Sequence, residues 1–377
     1  MGQLCSIKSG KSDTKDAVED GAYAFFDRSR TIKKSSRYLF DCEALIIPGE
    51  GTEFLPKHFI GKFDLHQRAY ALYDYSDRID VRYLYYFLHH VSDYFPQVAV
   101  GATVKSLRLR HFEDLPVSLT SITEQQRIVG ILDAAFDGIA TAKANAEQNL
   151  QNARALFESF LQSVFTQRGE GWAETVLGKV LDTQPRNGWS PPSANHTDAG
   201  TPVLTLSSVT GFQFKPDKVK YTSAHVDARR HYWVKNGDFL ITRSNTPELV
   251  GHVTIASGIE EPTIYPDLIM RMNPNSKEVL TEFLYYQLRT PALRSEITGR
   301  AQGVNPTMKK INKKAVQTLP ICVPTIEVQK QIVARLNGLT VETQRLASLY
   351  QRKLAALAEL KKSLLHQAFT GQLTIGN

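Results

Sequence analysis

Tyr83-Leu84-Tyr85-Tyr86 returns later in the chain as Phe283-Leu284-Tyr285-Tyr286. Each copy leads to a Leu-Pro, at Leu115-Pro116 and Leu319-Pro320, and then to a Gln-x-x-Ile-Val start, Gln125 to Val129 and Gln329 to Val333. Each then enters a long helical pattern that closes on Phe-Thr, at Phe165-Thr166 and Phe369-Thr370. A period of about 200 residues is too long for a solenoid and implies two related globular halves. Two similar modules joined by long helices suit a protein that touches two similar places a fixed distance apart.

The helical patterns are the clearest local signal. Thr123 is placed to cap the first helix, with Gln126 three residues on completing a capping box. Ile128, Leu132, Ala135, Ile139, Ala142 and Ala146 then step by four and three, and the register resumes after Asn149 through Leu150, Ala153, Phe157, Phe160 and Val164. In the second helix Ile332, Leu336, Leu339, Thr343, Leu346, Tyr350, Lys353, Leu357, Leu360 and Leu364 keep a near-strict alternation, a heptad seam with two polar interruptions. Helices of about 43 residues would run roughly 65 Å. That is too long to be covered by one module of ordinary size, so an antiparallel intramolecular pair is expected. Its packing residues are Ile128, Leu132, Ile139 and Phe157 against Leu336, Leu346, Leu357 and Leu364.

Each half reads as α+β. Ala44-Leu45-Ile46-Ile47 is a buried strand ended by the turn Pro48-Gly49-Glu50-Gly51, and Phe239 to Thr242, introduced by Asn236-Gly237, is its counterpart. Short amphipathic helices are expected over Val81–Val91 and Thr281–Leu288. The expected domains are residues 1–120, a central helix over 121–168, a second module over 169–325 and a C-terminal helix over 326–377.

Composition sets the bounds. The chain has 377 residues, 42% hydrophobic and 10% aromatic, which describes a folded protein of two ordinary domains. No apolar run reaches the length of a membrane span, and no apolar segment follows the first basic residues, so a cytoplasmic protein is expected. Three scattered cysteines, Cys5, Cys42 and Cys322, suit buried thiols better than a zinc site. The net charge of +7 permits nucleic acid as a partner without demanding it.

The catalytic case is weak. Ser9-Gly10-Lys11-Ser12 resembles the end of a phosphate-binding loop, but the glycine required five residues earlier is Cys5. It is better read as a turn whose Lys11 faces solvent or DNA. Pro191-Pro192 and Asn305-Pro306-Thr307 do not make the Asp/Asn-Pro-Pro-aromatic tetrad of amino-methyltransferases. Glu260-Glu261 has no lysine at nuclease spacing, and His89-His90 reads as one core-facing and one solvent histidine rather than a metal site.

The polar clusters fit nucleic acid better. Arg28, Ser29, Arg30 and Lys33 follow the run Tyr23-Ala24-Phe25-Phe26. In the second half Arg229, Arg230 and their aromatic neighbours, and then Arg243, Ser244 and Asn245, have the same character. Asn305, Thr307, Lys309 and Lys310 lie in and after the loop that ends at Gly303, and Lys105, Arg186 and Asn187 complete the candidate DNA-binding set. Arg and Asn can read guanine and adenine edges bidentately, while Lys and Ser mainly hold phosphates. A solvated face is the ordinary explanation of any one cluster; recurrence in both halves counts against it.

This doubled series resembles the DNA-specificity subunit of type I restriction-modification systems over essentially the whole chain. Met1-Gly2-Gln3-Leu4 matches Leu177-Gly178-Lys179-Val180, and Gly101-Ala102-Thr103-Val104 matches Gly303-Val304-Asn305-Pro306, in the same order as the motifs above. The resemblance implies a non-catalytic protein with two target-recognition domains separated by an antiparallel coiled coil. Each domain would read half of a bipartite target in double-stranded DNA, and the helices would set the gap. Two modification subunits, carrying S-adenosylmethionine and methylating adenine N6, would dock on it. Restriction subunits would bring ATP and Mg. No cofactor is expected on this chain. A methyltransferase or nuclease with diverged motifs, and a scaffold whose modules bind protein, are the alternatives. One departure stands out: Gly171 to Val176 precede the second Leu-Gly, and nothing equivalent precedes the first. Either Phe369-Thr370-Gly371-Gln372-Leu373 completes that place in space, or the first module lacks its beginning.

Overall fold

The computed structural model describes residues 1–303, 305 and 307–373; Val304 and Pro306 of the loop motif lie outside them. The chain divides into two compact units, residues 1–149 with 350–377 and residues 150–349. Both long helices, α4 (Ile122–Thr166) and α8 (Ile326–Phe369), are therefore shared, each giving one part to each unit.

In the first unit the strands are β1 (Ser6–Ser9), β2 (Tyr23–Phe26), β3 (Lys33–Ser35), β4 (Phe40–Pro48), β5 (Lys57–Leu65) and β6 (Ala69–Tyr73), in the order β1-β6-β4-β5-β2-β3. The expected strand at Ala44–Ile47 is the middle of β4. Alternation along it sends Leu45 and Ile47 to one core and Ala44 and Ile46 to another, as a pleated strand covered on both faces requires. The first core is closed by α1 (Val81–His90), α2 (Tyr94–Val98), α3 (Leu109–Glu113) and the long helices, with Ile128 and Leu132 of α4 beside Leu365 and Ala368 of α8. Asp80 caps α1 by accepting from Tyr83 N at 2.9 Å, which turns Tyr83, Leu84, Phe87 and Leu88 inward.

The second unit repeats the centre of this plan. Its strands are β7 (Ala173–Val176), β8 (Leu181–Asn187), β9 (His196–Thr197), β10 (Thr201–Leu204), β11 (Val219–Thr222), β12 (Phe239–Thr242), β13 (Ser244–Asn245), β14 (Val253–Ile255), β15 (Ile269–Pro274), β16 (Lys309–Lys310) and β17 (Pro320–Val323). The antiparallel sheet β14-β12-β15-β8 matches β5-β4-β6-β1, and α5 (Thr281–Gln287), α6 (Pro291–Arg300) and α7 (Lys313–Gln317) follow it as α1 to α3 follow β6. Phe157, Leu161 and Phe165 of α4 join Leu336 of α8 in its core. The first part of α4 meets the last part of α8 in one unit and the reverse holds in the other, so the pair is antiparallel within each. What differs is the second layer: β2 and β3 extend the first sheet, whereas β10-β11-β9 stand as a separate sheet in the second unit.

Three details correct the sequence reading. α4 begins at Ile122 with Ser121, not Thr123, as its cap, since Glu124 N donates to Ser121 Oγ at 3.3 Å. On α8, Lys353 and Leu360 are exposed, and Leu354, Leu365 and Ala368 take the inward positions beside Tyr350, Leu357 and Leu364, so the seam lies one residue off near its end. Ile139 and Leu346 are half-buried. His89 and His90 are both half-buried, His90 stacking on Phe369 at 5.4 Å, so neither is a solvent histidine.

The departure at the start of the second repeat also has a structural counterpart. Met1 donates its amine to Leu115 O, where Leu177 N donates to Leu319 O at 2.9 Å. Leu373 is buried in the first core, and Gly371 (φ 74°) holds the left-handed turn that Gly171 (φ 84°) holds in the second unit. Trp172, beside Gly171, packs against the second core as Leu373 packs in the first. No helix among the described residues is long and apolar enough to cross a membrane.

Candidate nucleic-acid interface

The predicted polar residues lie at strand ends in each unit and on the loops beside them. In the second unit β8 stops at Asn187, β12 stops at Thr242 and β15 starts at Ile269, so the flanking residues share one edge. Arg243 lies there, its Nη1 3.6 Å from Asp267 Oδ2, and Asp267 also accepts from Ser190 Oγ. Next to it β13 pairs with β16, Ser244 with Lys310 and Asn245 with Lys309, so residues far apart in sequence form one two-stranded ribbon. Ser244 is fully buried, contrary to its expected place at the surface, and Asn245 is the member of the strand left partly open. Asn245 Oδ1 accepts from Thr246 N at 2.9 Å, which orients its side-chain amide. Lys309 donates to Gly303 O at 2.9 Å, and Asn305 Oδ1 accepts from Thr307 N and Oγ1, which fixes the loop before the ribbon.

Arg186 and Asn187 come together with the Arg229–Trp233 stretch. His231 bridges them, with Nδ1 3.2 Å from Arg186 Nη2 and Nε2 2.9 Å from Asn187 O, while Trp189 stacks on Tyr232 at 5.5 Å. Arg229 and Arg230 are exposed and share Asp227, whose carboxyl is held below its ordinary range by the Arg229 backbone N–H and both guanidinium groups. Such surface pairs are worth little and exchange readily for phosphate.

The first unit uses the same edge with more internal neutralisation. Lys33 Nζ lies 2.6 Å from Asp27, a carboxylate that burial drives up but that Lys33 and Ser29 bring below its usual value. Lys57 donates to Ser29 O at 2.7 Å, Arg30 pairs with Glu53 at 2.7 Å, and Arg28 approaches Glu50 at 4.0 Å. Lys105 lies on the segment whose carbonyl receives Gly51 N, the position that Lys309 holds in the ribbon of the second unit. Lys11 is exposed on a turn closed by Lys11 N to Leu65 O, as Trp189 N closes on Tyr265 O. At Gly10 and Gly188 a Cβ would stand within 2 Å of the carbonyl oxygens of Leu65 and Tyr265, which is why both turns carry glycine. The phosphate-loop likeness of Ser9 to Ser12 therefore reflects this close crossing. Among the described residues no carboxylate pairs with Lys11, Lys105, Lys309 or Lys310.

Reading by residue type missed Arg68, which donates to Glu50 at 2.6 Å. It stands alone in a turn without a basic cluster around it, so only the fold reveals its place on this edge.

The two-unit chain is similar to known proteins over nearly its whole length. A family model described as the type I restriction modification DNA specificity domain matches residues 1–152 and again 169–351. The chain belongs to that family. The type I specificity family includes the EcoDI specificity subunit of Escherichia coli, 24% identical over 99% of this chain and 88% of that protein. It also includes the MjaVIII specificity subunit of Methanocaldococcus jannaschii, 21% identical over 85% of this chain and 76% of that one. Two solved chains share the fold. One, from work on complex assembly and conformational transition of the type I R-M system, matches 99% of this chain and 97% of its own at 18% identity and TM-score 0.73. The other, the HsdS subunit from Thermoanaerobacter tengcongensis, matches 99% of this chain and 96% of its own at 18% identity and TM-score 0.57.

Proposed function

We propose that this member of the type I specificity family is the sequence-reading subunit of a restriction-modification complex, acting on double-stranded DNA without chemistry of its own. Each unit reads one half of a bipartite target, and the shared helices set the gap between the halves. The observation that carries this is the duplicated edge: equivalent strand ends in both units present arginine and lysine, joined by asparagine in the second unit, on loops that differ while the sheets beneath them match. Lysines without carboxylate partners supply affinity through phosphates, and Arg and Asn supply choice through base edges. In this reading two modification subunits dock on the chain and hold S-adenosylmethionine, while restriction subunits bring ATP and Mg. The specificity-subunit names of the relatives favour this reading over a methyltransferase or nuclease with diverged motifs.

The test is to express this chain with its cognate modification subunit and map methylated adenines. A bipartite, asymmetric motif with a fixed gap is expected. Methylation, S-adenosylmethionine binding or cleavage by the purified chain alone would instead favour an enzyme.

A further inference from the structure

We propose that Arg68, held by Glu50, reads a guanine in the half-site of the first unit and is the functional counterpart of Arg243; this rests on the reading of the chain as a DNA-specificity subunit. The two positions belong to one backbone contact that occurs in both units. Gly49 N donates to Arg68 O at 2.7 Å, and Arg243 N donates to Leu268 O at 2.8 Å. The next pairing also matches, Leu107 N to Gly49 O at 2.8 Å and Ile311 N to Arg243 O at 2.9 Å. Gly49 is thus equivalent to Arg243 and Arg68 to Leu268, so each unit places one arginine at this contact but takes it from opposite strands.

The carboxylates are exchanged in the same way. Arg243 is pinned by Asp267, the neighbour of Leu268, and Arg68 is pinned by Glu50, the neighbour of Gly49. Local packing explains the exchange. A Cβ at Gly49 would come within 2.5 Å of Arg68 O and 2.9 Å of the Tyr70 ring, so no side chain can rise from that side in the first unit.

The geometry suits reading rather than mere neutralisation. The Glu50 side chain is 11% exposed, whereas that of Arg68 is 61% exposed, so the carboxylate is fixed within the fold and the guanidinium projects from it. Glu50 also accepts from Ser106 Oγ at 3.3 Å, which fixes its rotamer. One Nη of Arg68 is committed to Glu50, and the rest of the planar fork is directed outward beside a cavity of about 260 Å³ lined also by Gln67 and Arg108. A pre-aimed fork matches guanine O6 and N7, a match that a lysine point charge cannot reproduce.

The experiment uses the complex of this chain with its modification subunits. Methylated-adenine motifs are mapped for the wild type and for Arg68→Ala, Arg68→Lys and Glu50→Gln, with thermal melts confirming folding. A bidentate base contact gives discrimination of roughly tenfold to a hundredfold at one base pair. Arg68→Ala and Arg68→Lys are expected to relax one guanine position in one half-site by about that factor, leaving the other half-site and the gap unchanged. Glu50→Gln, which keeps Arg68 but loosens its anchor, should relax the same position less. A uniform loss of binding over all sequences, or a wild-type motif from Arg68→Lys, would make Arg68 a phosphate contact and overturn the inference while leaving the specificity reading intact. A wild-type complex with no bipartite motif would remove both.

Discussion

Gln125 and Gln329 make the same three hydrogen bonds in the two units. Gln125 Oε1 accepts from Asp80 N at 2.8 Å, and its Nε2 donates to Arg78 O and Thr120 O; Gln329 Oε1 accepts from Leu280 N at 2.8 Å, and its Nε2 donates to Glu278 O and Pro324 O. Both side chains are fully buried. Each therefore latches the start of a long helix to the turn that begins α1 or α5 and to the segment after the Leu-Pro. This accounts physically for the Gln in the repeated Gln-x-x-Ile-Val start.

Replacing either glutamine by alanine removes the partner of one N–H and two carbonyls, groups that are part-buried apart from the buried Pro324 carbonyl. An unsatisfied buried group costs about 1–3 kcal/mol, so Gln125→Ala and Gln329→Ala should each destabilise the protein by about 2–4 kcal/mol. Denaturant unfolding of each variant measures this. A loss below about 0.5 kcal/mol would show that the latch is dispensable.

Stability should also fall on mild acidification. His252 is buried, stacks on Phe212 at 4.1 Å and accepts Gly211 N on Nδ1; burial first, and then the charge of Arg294, lower its pKa to about 4. His89 is lowered to about 4 by burial and then by Lys361. A histidine whose folded pKa is depressed binds more protons when unfolded, so its stabilising effect is whole above about pH 6.5 and is lost toward pH 4. Urea midpoints should drop between pH 7 and pH 5, and His252→Gln should flatten part of that drop. An identical drop in the variant would show that His252 is not responsible.

Much of this framework was legible in the chain. Periodicity gave both long helices because a stripe of Ile, Leu and Phe at heptad spacing has few other uses, and β4 was readable from its unbroken apolar run. The slip at Lys353 and Leu360 arose because leucines at 354, 357, 360, 364 and 365 support two registers, and only packing chooses between them. The candidate edge was half legible. Clustered residues such as Arg229 and Arg230 announce themselves, but Ser244 is buried by its pairing with Lys310, and Arg68 gains its position from a contact with Gly49, a relationship that only tertiary structure creates.

Arg243 provides a test of base reading in the second unit. Its guanidinium is anchored to Asp267, 29% exposed, and beside the Asn245–Lys309 pair. Arg243→Ala should loosen recognition at one position of the second half-site by roughly tenfold to a hundredfold and leave the first half-site intact. Lys310→Ala should weaken binding about equally on all sequences and reduce the salt dependence by about one counterion. Binding measured on matched and single-mismatch duplexes at two salt concentrations separates these effects. If Arg243→Ala behaved as Lys310→Ala, Arg243 would be a phosphate contact.

The helices can be tested as a spacer without touching either edge. The two units divide between Asn149 and Leu150 on α4 and between Leu349 and Tyr350 on α8, so insertions there leave each set of packing residues whole. One heptad added to both helices lengthens them by about 10 Å at 1.5 Å per residue and keeps the apolar seam in phase. At about 3.4 Å per base step this should widen the gap between half-sites by about three base pairs. An insertion in one helix alone would break the pairing and should abolish binding to the joined target. Methylated-adenine mapping of the double insertion reads the gap directly. A motif with its original gap, still methylated efficiently, would show that something other than the helix pair sets the spacing.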